Sequence, residues 1–261
     1  MGIFAAEEVT ALLGESLRAR IGVRTTDITG STNDDIKALA ESGAPEGTVM
    51  IAGEQTAGKG RLGRSFYSPK DAGLYMSILL RPKLGTADAL AITTAAGAAA
   101  ARAIDAVCGT NAGIKWVNDI YIGSRKVCGI LTEASLAPDG GVRYAVLGIG
   151  VNVTDRGFPD DIKNKAGAVG ADISLRPAIA AKILEFFFAY YESFPSKVYM
   201  DEYRRRSVLT GRTIEYEQGG VMHTAKVEGI DDDARLIVRG GDGELKYLSS
   251  GEVSIAMNSL H

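Results

Sequence analysis

The sequence predicts an α+β domain, a sheet covered by helices, followed by a small β-barrel of SH3-like size. Three observations carry this expectation. Up to about residue 206, apolar strand-like runs are interleaved with helical patterns, the longest being the alanine-rich stretch from Ala87 to Val107. After Ser207 the texture changes to short strands separated by Gly- or Asp-rich turns. At 261 residues and 46% hydrophobic, the chain can bury one substantial core and a smaller second one. The expected division is therefore residues 1–206 and 207–261.

The elements follow in order. From Ala5 to Arg20 apolar residues recur at helical spacing, and the stretch before Gly30 has room for a helix and a strand. Ser31-Thr32-Asn33-Asp34 are good capping types and open a helix that ends at Gly43. Thr48 to Ala52 reads as a buried strand, and Gly73 to Leu80 as another, closed by Arg81-Pro82. Ile114 to Trp116, a turn at Val117-Asn118-Asp119, and Ile120 to Ile122 form a strand-turn-strand unit. Val127 to Ala134 and Tyr144 to Val153 extend the sheet, and Pro177 to Ser193 is a helix dense in Phe and Tyr. In the C-terminal part, Thr213–Glu217, Met222–Ile230, Arg235–Arg239 and Glu244–Leu248 are the expected strands.

Composition excludes several classes. The formal net charge of -3 provides no global positive field for DNA or an anionic membrane. The run Ala87 to Val107 contains Asp88, Arg102 and Asp105 and suits a packed helix better than a bilayer span. The N-terminus lacks a signal peptide, and Ala6 stands where a myristoylation motif after Met1-Gly2 needs Ser or Thr, so a cytoplasmic location is expected. Cys108 and Cys128 lack metal or redox spacing and are expected as buried free thiols. With His223 and His261 as the only histidines, a histidine-based zinc site or a Ser-His-Asp triad is not expected.

One stretch stands out against this background: GEQTAGKGRLGRSFYSP, from Gly53 to Pro69. Gly58, Gly60 and Gly63 let amides turn toward an anion, while Lys59, Arg61 and Arg64 supply charge. Gly53 to Lys59 fits the opening of a P-loop, but Gly60 follows the lysine where Ser or Thr must ligate magnesium, and no helix start follows. Gly148-Ile149-Gly150 likewise starts a dinucleotide fingerprint that Val153 breaks. It reads instead as a strand end opposite a ligand.

Four further segments accompany the loop: Ser31-Thr32-Asn33, Lys115-Trp116-Val117-Asn118-Asp119, Arg125 to Leu131 (RKVCGIL), and Gly148 to Val153 (GIGVNV). Taken with the loop, in this order and spacing, they resemble the biotin protein ligases, and the resemblance runs from about Ser31 through Val153. It implies a mixed β-sheet catalytic domain with flanking helices, similar to class II aminoacyl-tRNA synthetases and biotin synthetases, plus an SH3-like C-terminal barrel. The implied chemistry joins biotin to ATP as biotinyl-5'-AMP and passes biotin to a lysine of a biotin carboxyl carrier domain.

By this resemblance, Ser31, Thr32, Asn33 and Gln55 bind the ureido ring of biotin, a neutral group that needs donors and acceptors rather than charge. Helix capping by Ser31 to Asn33 is compatible with that role. Gly58, Lys59, Gly60 and Arg61 match the segment closing over the biotin carboxylate and activated phosphate; the family commonly has Arg at position 59, and Lys keeps the charge without the planar fork. Lys126, Arg61 and Asp119 are the implied catalytic residues, with Lys126 contacting carboxylate and adenylate oxygens. Arg61, Arg64, Phe66, Lys115, Asn118, Asp119 and Asn152 are implied for the nucleotide, Phe66 stacking on adenine. Asp119 can hold Mg2+ or take the proton from an incoming amine. An Asn-Asp turn is an equally good local reading of Asn118-Asp119, and Val117 replaces the family's frequent proline.

The implied partners are biotin, ATP and the carrier domain of a biotin-dependent carboxylase; a homodimer is compatible, and DNA and membrane are not expected. Met1 to Gly30 does not have the content of a three-helix DNA-binding domain with a wing, so a monofunctional ligase is implied. Lipoate ligases and octanoyl transferases share the catalytic fold but lack the GKGRLGR loop. A non-catalytic biotin or nucleotide sensor is the reading from another class, and Arg61, Asp119 and Lys126 speak against it.

Overall fold

The computed structural model of the chain describes residues 3–82, 89–138 and 141–255. Met1-Gly2, the start of the expected long helix at Ala87 and Asp88, and His261 lie outside them. Two short helices, α1 (Ala6–Thr10) and α2 (Glu15–Arg18), replace the single helical stretch expected between Ala5 and Arg20. The break spans residues 11–14 and ends at Gly14, which caps α2 with ψ 150°; glycine inside a helix costs about 1 kcal/mol relative to alanine.

Strand β1 (Gly22–Thr26) leads to α3 (Thr32–Glu41), β2 (Thr48–Ala52) and β3 (Gly73–Leu80). Helix α4 (Ala89–Cys108) crosses to β4 (Gly113–Lys115), which turns into β5 (Asp119–Ile122). The long pair β6 (Arg125–Leu136) and β7 (Val142–Asn152) follows, then α5 (Arg176–Glu192) and α6 (Tyr199–Arg205). Helix α6 has no counterpart among the expected elements; its two turns bury only Tyr199, Met200 and Tyr203, too short a stripe for a periodicity argument.

These strands form a seven-stranded sheet in the order β1-β2-β3-β7-β6-β5-β4, mixed because β1 and β2 run parallel while every other neighbouring pair is antiparallel. All eight residues of β3 are buried, as expected of a central strand covered on both faces. Helix α3 packs against β2, β3 and β7, while α4 and α5 pack on each other and on the sheet. The segment Leu90–Cys108 of α4 is long and apolar enough to cross a bilayer, yet 67% of it is buried inside the protein. Ala95, Ala96, Ala98 to Ala101 and Ala103 are all fully buried, so small side chains allow α4 a close approach to its neighbours.

Beyond α6, β8 (Thr213–Gln218), β9 (Val221–Ile230), β10 (Leu236–Gly240), β11 (Leu245–Leu248) and β12 (Val253–Ile255) form an antiparallel sheet in the order β11-β10-β9-β8-β12. Among the described residues β11 and β12 are its two edges. One apolar cluster runs through both sheets, from Val9 to Val253. His223 lies in β9 and stacks on Tyr216 at 5.3 Å.

The two sheets are also tied by hydrogen bonds. The Trp116 indole Nε1 donates to the Ala234 carbonyl at 2.8 Å, and Arg204 Nε donates to the Ile230 carbonyl at 2.8 Å. Trp116 is 4% exposed, so its bond is made away from water. Trp116→Phe removes the donor while keeping most of the ring, and is expected to lower unfolding stability by about 1–2 kcal/mol. Urea titration monitored by circular dichroism checks this, and an unchanged midpoint would count against the tie.

Candidate active site

The glycine-rich stretch leaves β2 and folds back on itself. Gly60 N–H donates to the Arg64 carbonyl at 2.7 Å and Phe66 N–H donates to the Gly58 carbonyl at 2.8 Å. Between them Arg61–Gly63 makes one 3-10 turn with Leu62 at φ 56°, rather than the helix N-terminus a P-loop requires. The loop's cations are anchored on three different walls. Lys59 Nζ pairs with Asp34 Oδ1 of α3 at 2.5 Å, and Arg61 Nη1 donates to Asn118 Oδ1 at 2.9 Å. Arg64 makes a two-pronged ion pair with Glu252, just before β12, whose Nη1–Oε1 arm is 2.7 Å. The bond from Asp34 raises the pKa of Lys59, and the bond from Arg64 lowers that of Glu252.

Two adjoining clefts lie under this loop. The first is lined by Ser31, Thr32, Asn33, Gln55 and Lys59 among others. The second carries Arg64, Lys115, Asp119 and Glu252. Gly60, Arg61, Phe66, Asn118 and Lys126 border both.

The far end of the first cleft is neutral and polar. Gln55 Oε1 accepts from the Thr32 backbone N–H at 2.9 Å and lies 3.0 Å from the Thr32 hydroxyl, while Gln55 Nε2 donates to Ser68 Oγ at 2.9 Å. Ser31 heads α3, but its side chain makes no capping bond and lines the cleft instead. Gly58 is packed within the loop, where an added Cβ would sit 2.5 Å from the Phe66 carbonyl oxygen. Gly148 and Gly150 are not at a strand end but inside β7. A Cβ there would lie 2.3 Å from Asn33 Oδ1 and 2.5 Å from Phe66 Cε1, so each glycine makes room for a side chain lying on the sheet. Phe66 is thereby held edge-on to Tyr75, ring centroids 6.4 Å apart.

At the border of the clefts Lys126 Nζ approaches Asp119 Oδ1 to 2.7 Å. That oxygen is buried and has no hydrogen bond of good geometry, so it retains capacity for another positive ligand. Among the described residues no group of three His, Cys, Asp or Glu could hold a metal. Asp119 is a single carboxylate that could offer one ligand to a metal at this border. Lys115 lies 5.8 Å over the Tyr121 ring, and burial lowers its pKa. Asn118 Nδ2 donates to the Ile130 carbonyl, which aims its Oδ1 at Arg61. Asn152 borders neither cleft; its amide donates to the Gly167 carbonyl at 2.9 Å and it is 9% exposed.

The sequence did not single out Glu252, which lines the second cleft, or Ser77, Glu133 and Ser68, which bond to the cleft-lining Asn33 and Gln55. Ser77 sits in a strand that reads as continuous apolar core, and only the register that sets it opposite Gly148 puts its hydroxyl beside Asn33. Glu252 comes from the C-terminal sheet, which no local pattern places near the loop. The thiol of Cys128 is fully buried behind the Lys126 segment and burial pushes its pKa up to about 12, whereas Cys108 is half-buried. A thiol held protonated in this way is a poor nucleophile. Native protein at pH 8 is expected to resist iodoacetamide at Cys128, with full labelling after denaturation, as peptide mass spectrometry would reveal.

A mixed sheet carrying a cationic loop over two joined clefts suits an enzyme that binds small molecules and stabilises negative charge between them. Residues 26–152 match the Biotin/lipoate A/B protein ligase family, and residues 211–255 match the Biotin protein ligase C terminal domain. The chain is 32% identical to the biotin--[acetyl-CoA-carboxylase] ligase of Mycobacterium tuberculosis, over 93% of both chains. It is also 32% identical to the bifunctional ligase/repressor BirA of Bacillus subtilis, over 88% of this chain and 72% of that protein. The biotin protein ligase from Aquifex aeolicus in complex with biotin and ATP superposes with a TM-score of 0.75 at 26% identity, covering 90% of this chain and 98% of that one. The chain belongs to the biotin protein ligase family.

Proposed function

We propose that this chain is an ATP-dependent biotin protein ligase of the cytoplasm, which forms biotinyl-5'-AMP and transfers biotin to a lysine of a biotin carboxyl carrier domain. The observation that carries the reading is the common border of the two clefts, where Arg61 and Lys126 stand between a neutral polar end and a charged one. A biotin molecule lying with its ureido ring among Thr32, Asn33 and Gln55 points its carboxylate toward that border. ATP in the second cleft, near Arg64 and Lys115, brings its α-phosphate to the same place.

In the first step a carboxylate oxygen attacks the α-phosphorus and pyrophosphate leaves. Two unit charges ~4 Å apart repel by about 1 kcal/mol in water and about 4 kcal/mol at an effective dielectric of 20. Fixed cations at the border oppose this repulsion and stabilise the charge that builds up in transit. Magnesium, when bound with ATP, supplies further neutralisation at the phosphates, and Asp119 with Asn118 would hold it. In the second step the ε-amine of the acceptor lysine attacks the anhydride carbonyl, AMP leaves, and an amide forms. Asp119 is suited to receive the amine proton. The folded loop excludes water that would otherwise hydrolyse the anhydride. In this reading residues 1–206 form the catalytic unit, and residues 207–261 an SH3-like barrel that contributes Glu252 to the nucleotide side.

Lys126→Ala is expected to reduce biotin-dependent pyrophosphate release by about 100-fold or more, with cooperative unfolding retained. Pyrophosphate release at the parental rate would remove Lys126 from the catalytic machinery. Arg61→Ala is expected to raise KM for biotin about tenfold, the loss of one charge-assisted contact, and to let the adenylate escape. Quenched-flow chromatography of free biotinyl-AMP against enzyme-bound intermediate reads the leak directly. Biotin-dependent rather than lipoate-dependent turnover separates this function from that of the lipoate ligases.

A further inference from the structure

Glu133 lies on β6, two residues beyond the cleft-lining Leu131 and therefore on the same face of the strand. Its Oε2 accepts from Asn33 Nδ2 at 2.7 Å and its Oε1 accepts from Lys37 Nζ at 2.6 Å. Burial alone would raise the Glu133 pKa, but the bonds from Lys37 and Asn33, with the nearby charge of Lys59, outweigh it and lower the value. An ionised carboxylate only accepts hydrogen bonds, so it forces the NH2 end of the Asn33 amide toward itself.

The opposite end of that amide is then an acceptor. Asn33 Oδ1 lies 2.6 Å from Ser77 Oγ, Ser77 Oγ lies 2.7 Å from Thr32 Oγ1, and Thr32 Oγ1 lies 3.0 Å from Gln55 Oε1. The Gln55 amide is fixed too, because its oxygen faces the Thr32 backbone N–H, which can only donate. Two pure acceptors thus flank two hydroxyls, and the three oxygen–oxygen contacts have two protons to share. Were Asn33 turned over, its NH2 would donate to Ser77, Ser77 to Thr32 and Thr32 to Gln55, and all three contacts would be satisfied. The negative charge of Glu133 prevents this turn and leaves the buried chain one proton short, a condition that costs free energy until a donor arrives.

We propose that Glu133 is a positioning residue that, through Asn33, keeps the polar end of the first cleft short of one proton and so selects ligands that bring N–H donors. The proposal rests on the biotin ligase reading and adds a reason for selectivity: a cyclic urea has two N–H groups, and Thr32, Asn33 and Gln55 all border the cleft. A ligand N–H directed at Gln55 Oε1 or Asn33 Oδ1 satisfies that acceptor, and the hydroxyl that had served it can then donate across the Ser77–Thr32 contact. A cyclic carbonate, with oxygen in place of both N–H groups, has no proton to supply.

The test compares biotin with its cyclic carbonate analogue in pyrophosphate release, using the full chain and its Glu133→Gln variant. Glutamine at this position can face Asn33 with either end of its amide, so the turn-over becomes available. The parent is expected to favour biotin over the carbonate at least tenfold in KM. In Glu133→Gln the KM for biotin is expected to rise about tenfold with kcat within twofold, and the preference is expected to fall below threefold. Lys37→Met, which removes the other partner of Glu133 but leaves its charge, is expected to keep the parental preference. A Glu133→Gln variant that loses biotin affinity yet keeps the tenfold preference overturns the proposal, because a merely structural defect would weaken both ligands alike. Retention of parental KM overturns it as well. Absence of biotin turnover in the parent overturns the ligase reading itself, and this inference with it.

Discussion

The site depends on cations held in place without being used up. Attraction between the loop and its substrates would be wasted on a mobile chain, because each flexible Lys or Arg loses rotamer freedom when it is fixed. Lys59, Arg61 and Arg64 are instead fixed in advance by Asp34, Asn118 and Glu252, which belong to α3, the β4–β5 turn and the C-terminal sheet. Arg61, nearest the border of the clefts, is held by a neutral amide and so keeps its full charge for a ligand. Lys59 and Arg64, farther out, are paired with carboxylates in partly exposed positions, where such pairs add little stability and serve mainly to orient.

This arrangement explains why the protein needs its second sheet near the first. Glu252 reaches the loop only because β12 closes one side of the C-terminal sheet beside the second cleft, and Trp116 and Arg204 fasten that sheet through the carbonyls of Ala234 and Ile230. One apolar cluster is continuous between the two sheets. The neutral end of the first cleft is organised on the same principle of prior fixation: a chain of side chains from α3, β3, β6 and the loop orients Thr32 and Gln55 before any ligand arrives.

Legibility in the sequence follows the range of the interaction. Strand β2 is readable to the residue, since Thr48 to Ala52 is a short apolar run between turn signals, and the C-terminal ends of α4 and α5 are readable to within one residue. The N-terminal helix reads as longer than it is because the apolar residues keep their helical spacing across the break at residues 11–14. Ser77 and Glu133 are not visible as site residues, because a hydroxyl in an apolar strand and a glutamate near a strand end have no local signature. Asn152 looks like a polar contact to a ligand from its neighbours in sequence; in the fold its amide is engaged by the Gly167 carbonyl.

What the sequence determined by itself was the chemistry available: the glycine loop with its three positive charges, the Ser31-Thr32-Asn33 trio, the Asn118-Asp119 turn and Lys126, in an order that resembles one family. Those are local facts, fixed by residue type and spacing. The tertiary structure decided how that chemistry is directed: which acidic or amide group holds each cation, which glycines make room for Asn33 and Phe66, and which carboxylate turns the Asn33 amide. The reason is physical. Charge and hydrogen-bonding capacity belong to single residues, but their orientation is set by partners up to about a hundred positions away or more, brought together only by sheet register and by the contact between two sheets.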